Sequence, residues 1–263
     1  MVEIISPLQA HEFMPMCFEL ASADHFWFRW RVAAFLRQLQ DLRVPIDRDW
    51  RVLDVGSGSG VARNQIEAAT NWTLDAVDLD YGALKMAQSG RGRIMYYDVA
   101  ERRQEFGEKY DAIILFDVLE HIEKTAPFIE ALLFHLKPNG FLFVNVPALQ
   151  SLYSLYDSVQ GHFLRYNAKT LRREFQNFPV DIKDVRYWGL ANVPLALARK
   201  LYLQTFFANS DETKIYRQGF KLPSQFVNQT FLKIMRVETA LTKKAFAGTS
   251  LLLAAQKQTA RRD

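Results

Sequence analysis

The sequence predicts an α/β protein: a mostly parallel sheet with helices on both faces. Three observations predict it. Residues 51–60, RVLDVGSGSG, carry an apolar run (Val52, Leu53, Val55) straight into glycines at alternate positions, and VARNQIEAA follows as a helix. The apolar run has the composition of a strand buried on both faces. Four further strand-like runs then alternate with helix-like stretches before residue 150, the rhythm of a parallel sheet with crossover helices.

Taken in order, residues 7–43 read as helical, with HFWFRWRVAAFLRQL at their centre, so a helical N-terminal segment (1–46) precedes the main domain (47–257). Phe26, Trp27, Phe28 and Trp30 crowd together there, and packing is favoured over substrate stacking as their role. VPIDRDW is a loop into the first strand. Trp72–Asp80 reads as the second strand, YGALKMAQ as a helix capped by Asp80 and stopped by Gly90 and Gly92, and Arg93–Glu101 as the third strand. Ala112–Phe116 is the fourth, APFIEALLFHL a helix, LKPNG a turn and Phe141–Pro147 the fifth. Past Pro147 the rhythm changes. LRREFQNF reads as a short helix, VDIKDVRYWG as a sixth strand and Gly248–Lys257 as a seventh and last. Residues 190–247 form a helical insertion of two or more helices, placed to cap one side of the sheet. In its final helix Val227, Phe231, Ile234, Met235, Glu238 and Leu241 fall on one stripe, apolar except for Glu238. The tail, 258–263, is expected to fray.

Composition bounds the function. Of the 263 residues, 49% are hydrophobic, enough for a full core. The one cysteine, Cys17, excludes an internal disulfide, a cysteine-based metal site and a redox pair, and fits a reducing, cytoplasmic setting. The N-terminus does not read as a signal peptide. The longest apolar stretch, Leu190 to Ala208, is interrupted by Pro194, Arg199 and Lys200 and is not a membrane span. Net charge is +4 but uneven: residues 1–149 carry −6 and residues 150–263 carry +10. The basic half suits an anionic substrate, a membrane surface or nucleic acid, or is simply solvated.

The glycine turn admits three ligand classes. A dinucleotide turn, GxGxxG, would place its third glycine at 61, where this chain has Val61. A pyrophosphate lying over the turn would also be repelled by Asp54. A phosphate loop needs GK[ST] after the glycines, and none follows. A nucleoside with a zwitterionic amino-acid tail suits the turn better, because Asp54 can engage a cationic amine. DVGSGSG resembles the first motif of class I S-adenosylmethionine-dependent methyltransferases, an acid, any residue, then GxGxG. FDVLEHI resembles that family's segment after strand four, LKPNGFLFVNVP its strand-five turn, and GTSLLLAAQK its antiparallel seventh strand.

The resemblance spans about residues 50–257 and implies a Rossmann-like seven-stranded sheet with S-adenosylmethionine as cofactor and no metal. It places Asp54, Gly56, Ser57, Gly58 and Gly60 around the cofactor's amino-acid end. Asp78, beside Leu79, would hold the ribose hydroxyls, Asp98 and the Val99 amide the adenine, and Phe116 would complete the site. Ser57 and Ser59 also read simply as small turn residues.

The acceptor is less legible. Asp-Pro-Pro-Tyr-type motifs are absent, and Cys17 lies outside the sheet, so nucleic acid is disfavoured. An oxygen acceptor needs a base near the carboxyl ends of strands four and five. Candidates are His121, with Asp117 beside it at the acceptor, and the segment Gly161-His-Phe-Leu-Arg-Tyr166, where His162, Arg165 and Tyr166 would be base, anion clamp and orienting hydroxyl. The latter segment resembles a bacterial methyltransferase subset of glycan and lipid-linked sugar pathways, whose GHxRRY has an arginine where this chain has Leu164. Each of these residues has a structural alternative as a satisfied polar group of a loop. Phe226, Phe231, Leu232 and Met235 beside Lys233 and Arg236 suit an apolar tail with an anionic head, an interfacial helix at the inner membrane face, or a plain hydrophobic lid. The expectation is a methyltransferase of a small or lipid-linked acceptor, at oxygen. The rivals are a non-catalytic S-adenosylmethionine-binding scaffold and, behind it, an NAD-dependent oxidoreductase.

Overall fold

The structure, a computed structural model, describes residues 1–9, 24–219, 224–242 and 245–259. Cys17, part of the helix expected over 7–43, and part of the expected tail lie outside them. In chain order the elements are β1 (Glu3–Ile4), α1 (Phe26–Asp41), β2 (Arg51–Val55), α2 (Val61–Ala69), β3 (Thr73–Asp78), α3 (Tyr81–Met86), β4 (Ile94–Tyr96), β5 (Tyr110–Phe116), α4 (Thr125–His135), β6 (Leu136–Pro147), α5 (Leu155–Val159), α6 (Ala168–Phe175), β7 (Val180–Trp188), α7 (Val193–Phe206), α8 (Glu212–Gly219), α9 (Gln225–Leu241) and β8 (Ser250–Lys257).

The strands form one sheet in the order β1-β4-β3-β2-β5-β6-β8-β7. All pairs from β1 to β6 are parallel, and β8 runs antiparallel to both β6 and β7. The expected α/β sheet with an antiparallel last strand is therefore present, with eight strands rather than seven. The extra strand is β1, whose two residues pair with Met95 and Tyr96 on the open edge of β4. So short a strand carries no periodicity of its own; it forms because the edge offers unpaired backbone groups. Two boundaries also differ. The third strand stops at Tyr96 because Asp98 caps a short 3-10 turn over Val99–Glu101. LKPNG lies within β6, which pairs with β5 first at Leu136 and again, after a register shift, from Phe141.

Side chains alternate across the sheet and bury both faces. Leu53, Val55, Ile113, Leu115, Leu251 and Leu253 enter one core with α4 and α6. Val52, Ala112, Ile114, Phe116, Leu252 and Ala254 enter the other, with Phe26, Trp30 and Phe35 of α1 and Ile66 of α2. This double burial is why the strands read as near-continuous apolar runs.

The segment 190–247 divides in two. α7 and α8 pack on α5 through Leu203, Ile215, Tyr216 and Tyr156. α9 instead returns to α1: Phe231 stacks on Phe26 at 4.7 Å, and the Phe26 amide donates to Asn228 Oδ1 at 2.8 Å. Leu232 and Met235 are core residues there and do not face an acceptor, which corrects their reading as part of an apolar-tail site. Packing wins because Phe231, Leu232 and Met235 of α9 meet the aromatic face of α1. Glu238, the one acid on that stripe, accepts from the backbone N–H groups of Gly189, Leu190 and Ala191 at 2.8–3.0 Å. It caps the 3-10 turn that leads into α7 and so fixes where the chain leaves β7.

Glu238→Ala leaves three donors without that carboxylate. It should lower unfolding free energy by about 1–3 kcal/mol, read as a fall in the urea midpoint at unchanged slope.

Candidate active site

The glycine turn closes β2. Gly56, Gly58 and Gly60 have φ of 71°, 54° and 77°, a left-handed region that side chains resist. At Gly56 a Cβ would also stand 2.3 Å from Val118 Cγ2. Gly56 and Ser57 donate their amides to the Val77 carbonyl, and Gly58 donates to Asp78 Oδ2 at 2.7 Å. The turn is thus tied to the end of β3.

Two cavities meet at this turn, at the carboxyl ends of the central parallel strands, where the strand order reverses. The first, about 360 Å³, has apolar walls from Val55, Val77, Leu79, Val99, Val118 and Phe128, with Asp78 and Asp98 among its lining residues. Asp78 Oδ1 accepts from the Asp80 amide, and Asp98 Oδ1 accepts from Ala100. A carboxylate oxygen has a second acceptor site, so both acids can still take a ligand hydroxyl or amine. Burial pushes the Asp78 carboxyl up, while the amides of Asp80 and Gly58 pull it down.

Below the turn sits Asp54, 2% exposed, with Oδ2 buried and without a hydrogen-bond partner. Burial pushes its carboxyl up to about 7; Arg31 and Arg63 offset part of that. The Ser57 hydroxyl beside it is likewise buried and without a partner. An orphaned acceptor next to an orphaned donor is the complement of a zwitterion, an ammonium beside a carboxylate.

The second cavity, about 280 Å³, shares Gly56, Gly58, Asp117, His121 and Gln160 with the first. One wall is Arg31 of α1. Its guanidinium lies over the rings of Trp27, Phe28 and Phe116 at 5.0–5.2 Å and pairs with Asp117. Asp117, at φ 58° just past β5, also accepts from Asn145 Nδ2 at 2.7 Å, and Asn145 Oδ1 accepts from Trp188 Nε1 at 2.8 Å.

The opposite wall comes from the segment after β6. Asp157 Oδ1 accepts from Arg165 Nε at 2.8 Å and lies 3.1 Å from His162 Nδ1; its Oδ2 accepts from both the amide and the hydroxyl of Ser154. Burial pushes the Asp157 carboxyl up, but His162 and Arg165 overcome this and hold it well below the usual carboxylate range. His121 meets His162 edge to face at 4.6 Å; burial, and the neighbouring His162, lower it to about 4. Glu120, fully buried, accepts no hydrogen bond on either oxygen. Burial and the nearby Asp117 raise it well above the carboxylate range. Arg199 of α7 reaches in over the Tyr156 ring at 4.7 Å.

The structure therefore brings together Asp54, Gly56, Ser57, Gly58, Asp78, Leu79, Asp98, Val99, Asp117, His121, His162 and Arg165 around two adjoining cavities. Gly60 shapes the turn as the residue before α2. Phe116 lines the second cavity rather than the first. Tyr166 joins neither: it is 0% exposed in the core beneath β6, its hydroxyl has no partner, and burial pushes its phenol up. Its amide donates to the Pro147 carbonyl, so backbone pairing turns the ring inward. Trp27 and Phe28 do line the second cavity, whereas Phe26 and Trp30 pack as expected. Sequence reasoning missed Glu120, Arg31, Arg199 and Asp157. Only Glu120 carried a signal, a carboxylate between Leu119 and His121 where the fourth strand ends.

Residues 24–181 match a family described as a methyltransferase domain. The chain belongs to that family. The resemblance to class I S-adenosylmethionine-dependent methyltransferases is thereby borne out, with that cofactor. The human mitochondrial ubiquinone biosynthesis O-methyltransferase is 29% identical over 153 residues, 48% of this chain and 41% of that protein. The malonyl-[acyl-carrier protein] O-methyltransferase of Halalkalibacterium halodurans is 29% identical over 122 residues, 43% of this chain and 45% of that one. The matched region is thus less than half the length of either relative. Among solved structures, Haemonchus contortus phosphoethanolamine N-methyltransferase 2 in complex with S-adenosyl-L-methionine superposes with a TM-score of 0.53 at 17% identity, over 84% of this chain and 52% of that one. At that identity the likeness speaks for the fold.

The orphaned atoms of Asp54 and Ser57 suit the cofactor's ammonium and carboxylate, and the remaining acceptor sites of Asp78 and Asp98 suit its ribose and adenine. Two outcomes follow. Ionised Asp54 is the form that pairs with an ammonium, so cofactor affinity should rise as pH rises through about 7, and calorimetry on Asp54→Asn should show that rise abolished. Asp78→Ala should weaken S-adenosylhomocysteine binding by about 1–3 kcal/mol; an unchanged dissociation constant would refute the ribose assignment.

Proposed function

We propose that the domain transfers a methyl group from S-adenosylmethionine to an oxygen of a small, anionic or lipid-linked acceptor in the second cavity. One observation carries this reading. The cavity adjoins the glycine turn and is lined by three guanidinium groups, Arg31, Arg165 and Arg199, together with Glu120, His121 and His162. Arg31 and Arg165 already pair with Asp117 and Asp157. Arg199 of α7 brings a third guanidinium to the same cavity, and together the three make its wall cationic toward an acceptor's negative charge.

Bound S-adenosylmethionine supplies an electrophilic methyl on a sulfonium centre. The chain's own residues do the rest. Asp54 and Ser57 hold the amino-acid end, and Asp78 and Asp98 the nucleoside. Trp27, Phe28 and Tyr156 form aromatic walls of the acceptor cavity and keep water from the transfer. Glu120, His121 and His162 are the groups within reach of the acceptor's proton and charge. The two relatives named above are both O-methyltransferases, which supports oxygen as the acceptor atom.

The lipid-linked part of the proposal rests on α7. Its inner face brings Arg199 to the cavity, while Leu195, Leu197, Leu201, Tyr202 and Phe206 are exposed on its other sides, Phe206 at 70%. An acceptor with an anionic head in the cavity could run its apolar tail over that surface. No described helix is long and apolar enough to cross a membrane, so a lipid surface would be met peripherally, through α7. The lone cysteine of the sequence supports a reducing, cytoplasmic setting.

The test is transfer of labelled methyl from S-adenosylmethionine into a fractionated host lipid and glycan extract. Label is expected in organic-extractable or glycan fractions. Arg199→Ala should raise KM for the acceptor, and Glu120→Gln should lower kcat by about a hundredfold, both with unchanged cofactor affinity. Cofactor binding without turnover on any fraction would favour a non-catalytic scaffold instead.

A further inference from the structure

We infer that Glu120, His121 and His162 form a binding site for one divalent transition-metal ion in the wall of the acceptor cavity. No local sequence pattern marks a metal here, because His121 and His162 lie 41 positions apart and the only cysteine is elsewhere. The fold brings the three side chains together: one donor atom from each lies within 4.8 Å of the others. All three line the acceptor cavity. His162 Nε2 is 3.9 Å from Glu120 Oε1. Two ligands each about 2.1 Å from a common ion stand about 3–4 Å apart, so this pair needs no rearrangement to share one.

The carboxylate is the second, independent observation. Glu120 is 0% exposed, and neither oxygen accepts a hydrogen bond. A buried carboxylate is ordinarily paired, hydrogen-bonded or bound to a metal. Here the protein supplies no hydrogen bond, its nearest cationic candidate is the His162 imidazole at 3.9 Å, and the carboxylate borders a cavity with two imidazoles.

The outer partners point the same way. His162 Nδ1 faces Asp157 Oδ1, and Asp157 is held ionised by Arg165 and anchored by Ser154. That contact places the imidazole proton on Nδ1 and leaves the Nε2 lone pair toward Glu120. His121 is hydrogen-bonded to the Gly161 backbone. A carboxylate or carbonyl behind each histidine is the usual support of a metal-bound imidazole. Two imidazoles and one carboxylate select zinc, iron(II), cobalt or manganese over magnesium or calcium, which prefer all-oxygen sites. Three protein ligands leave positions open to the cavity for water or an acceptor oxygen. The inference rests on reading this cavity as the acceptor side, but the site itself is defined by its ligands.

The experiment uses the full chain, Co²⁺ as the probe, and S-adenosylhomocysteine binding measured on the same samples. One Co²⁺ per chain is expected by equilibrium dialysis, with visible d–d absorption and paramagnetically shifted N–H signals from two imidazoles, displaced by Zn²⁺. Glu120→Gln and His162→Ala should each weaken Co²⁺ binding by at least about tenfold, and Asp157→Asn by about 10–100-fold, with S-adenosylhomocysteine affinity unchanged. Absence of stoichiometric binding, binding without shifted imidazole signals, or equal binding by the Glu120 and His162 variants would overturn the site and leave Glu120 as a proton-sharing acid. The wild-type spectra decide the matter even if a variant does not fold. Metal binding without S-adenosylhomocysteine binding would overturn the methyltransferase reading and leave the metal site standing.

Discussion

The ion pair between Arg31 and Asp117 is the constraint on which the site depends. It joins α1, which comes before β2 in the chain, to the turn after β5. Arg31 is held in place by three aromatic rings, and Asp117 by Asn145 and, through it, Trp188. A largely buried pair of this kind adds little net stability, because both ions lose much of their water. What it supplies is position. Asp117 sits at φ 58°, a conformation that costs free energy and persists only where its surroundings enforce it. From that strained residue the chain turns so that Val118 packs against Gly56, where no side chain fits. Two residues later Glu120 and His121 face the acceptor cavity.

This geometry explains why the two cavities are coupled to one turn. Gly56 is closed from below by Val118 and tied from the side by the Val77 carbonyl, while Gly58 is tied by Asp78. The turn cannot shift toward one cavity without disturbing the other. An in-line transfer needs donor and acceptor held at fixed separation, and a turn pinned by β3 and β5 together provides that reference.

Much of this was legible in the sequence. The strands were readable because both faces of the sheet are buried, which forces long apolar runs, and the antiparallel β8 followed from the family resemblance. Asp54 and the glycines were readable because local backbone geometry demands those residue types at that spacing. The acceptor side was not, for a physical reason: its residues come from α1, the β5 turn, the segment 154–165 and α7, and no local pattern links them. His162 and Arg165 were found from a short motif, but Asp157, which orients both, was hidden in an aperiodic stretch. Tyr166 shared the motif and was misjudged, since strand-like pairing with Pro147 turns it into the core. Of the stripe read on α9, Phe231 and Met235 pack while Val227, Ile234 and Leu241 are exposed; the packing partner, the aromatic face of α1, could not be read from either segment alone.

Buried polar atoms without partners are rare in native proteins, because each costs about 1–3 kcal/mol. Here Asp54 Oδ2, the Ser57 hydroxyl and both oxygens of Glu120 are such atoms, and all three residues line one continuous region. Other carboxylates of the same region do not share the defect: Asp117 and Asp157 each accept hydrogen bonds on both oxygens. A fold able to satisfy those groups could have satisfied the rest. Left unpaired, Asp54 and Ser57 face the end of the glycine turn, and Glu120 faces the acceptor cavity, so the missing partners belong on two sides of the same turn. The unpaired carboxylate and hydroxyl oxygens that line this region thus fall on the two sides a two-substrate transfer would require, one part for the methyl donor and one for the acceptor's side of the reaction.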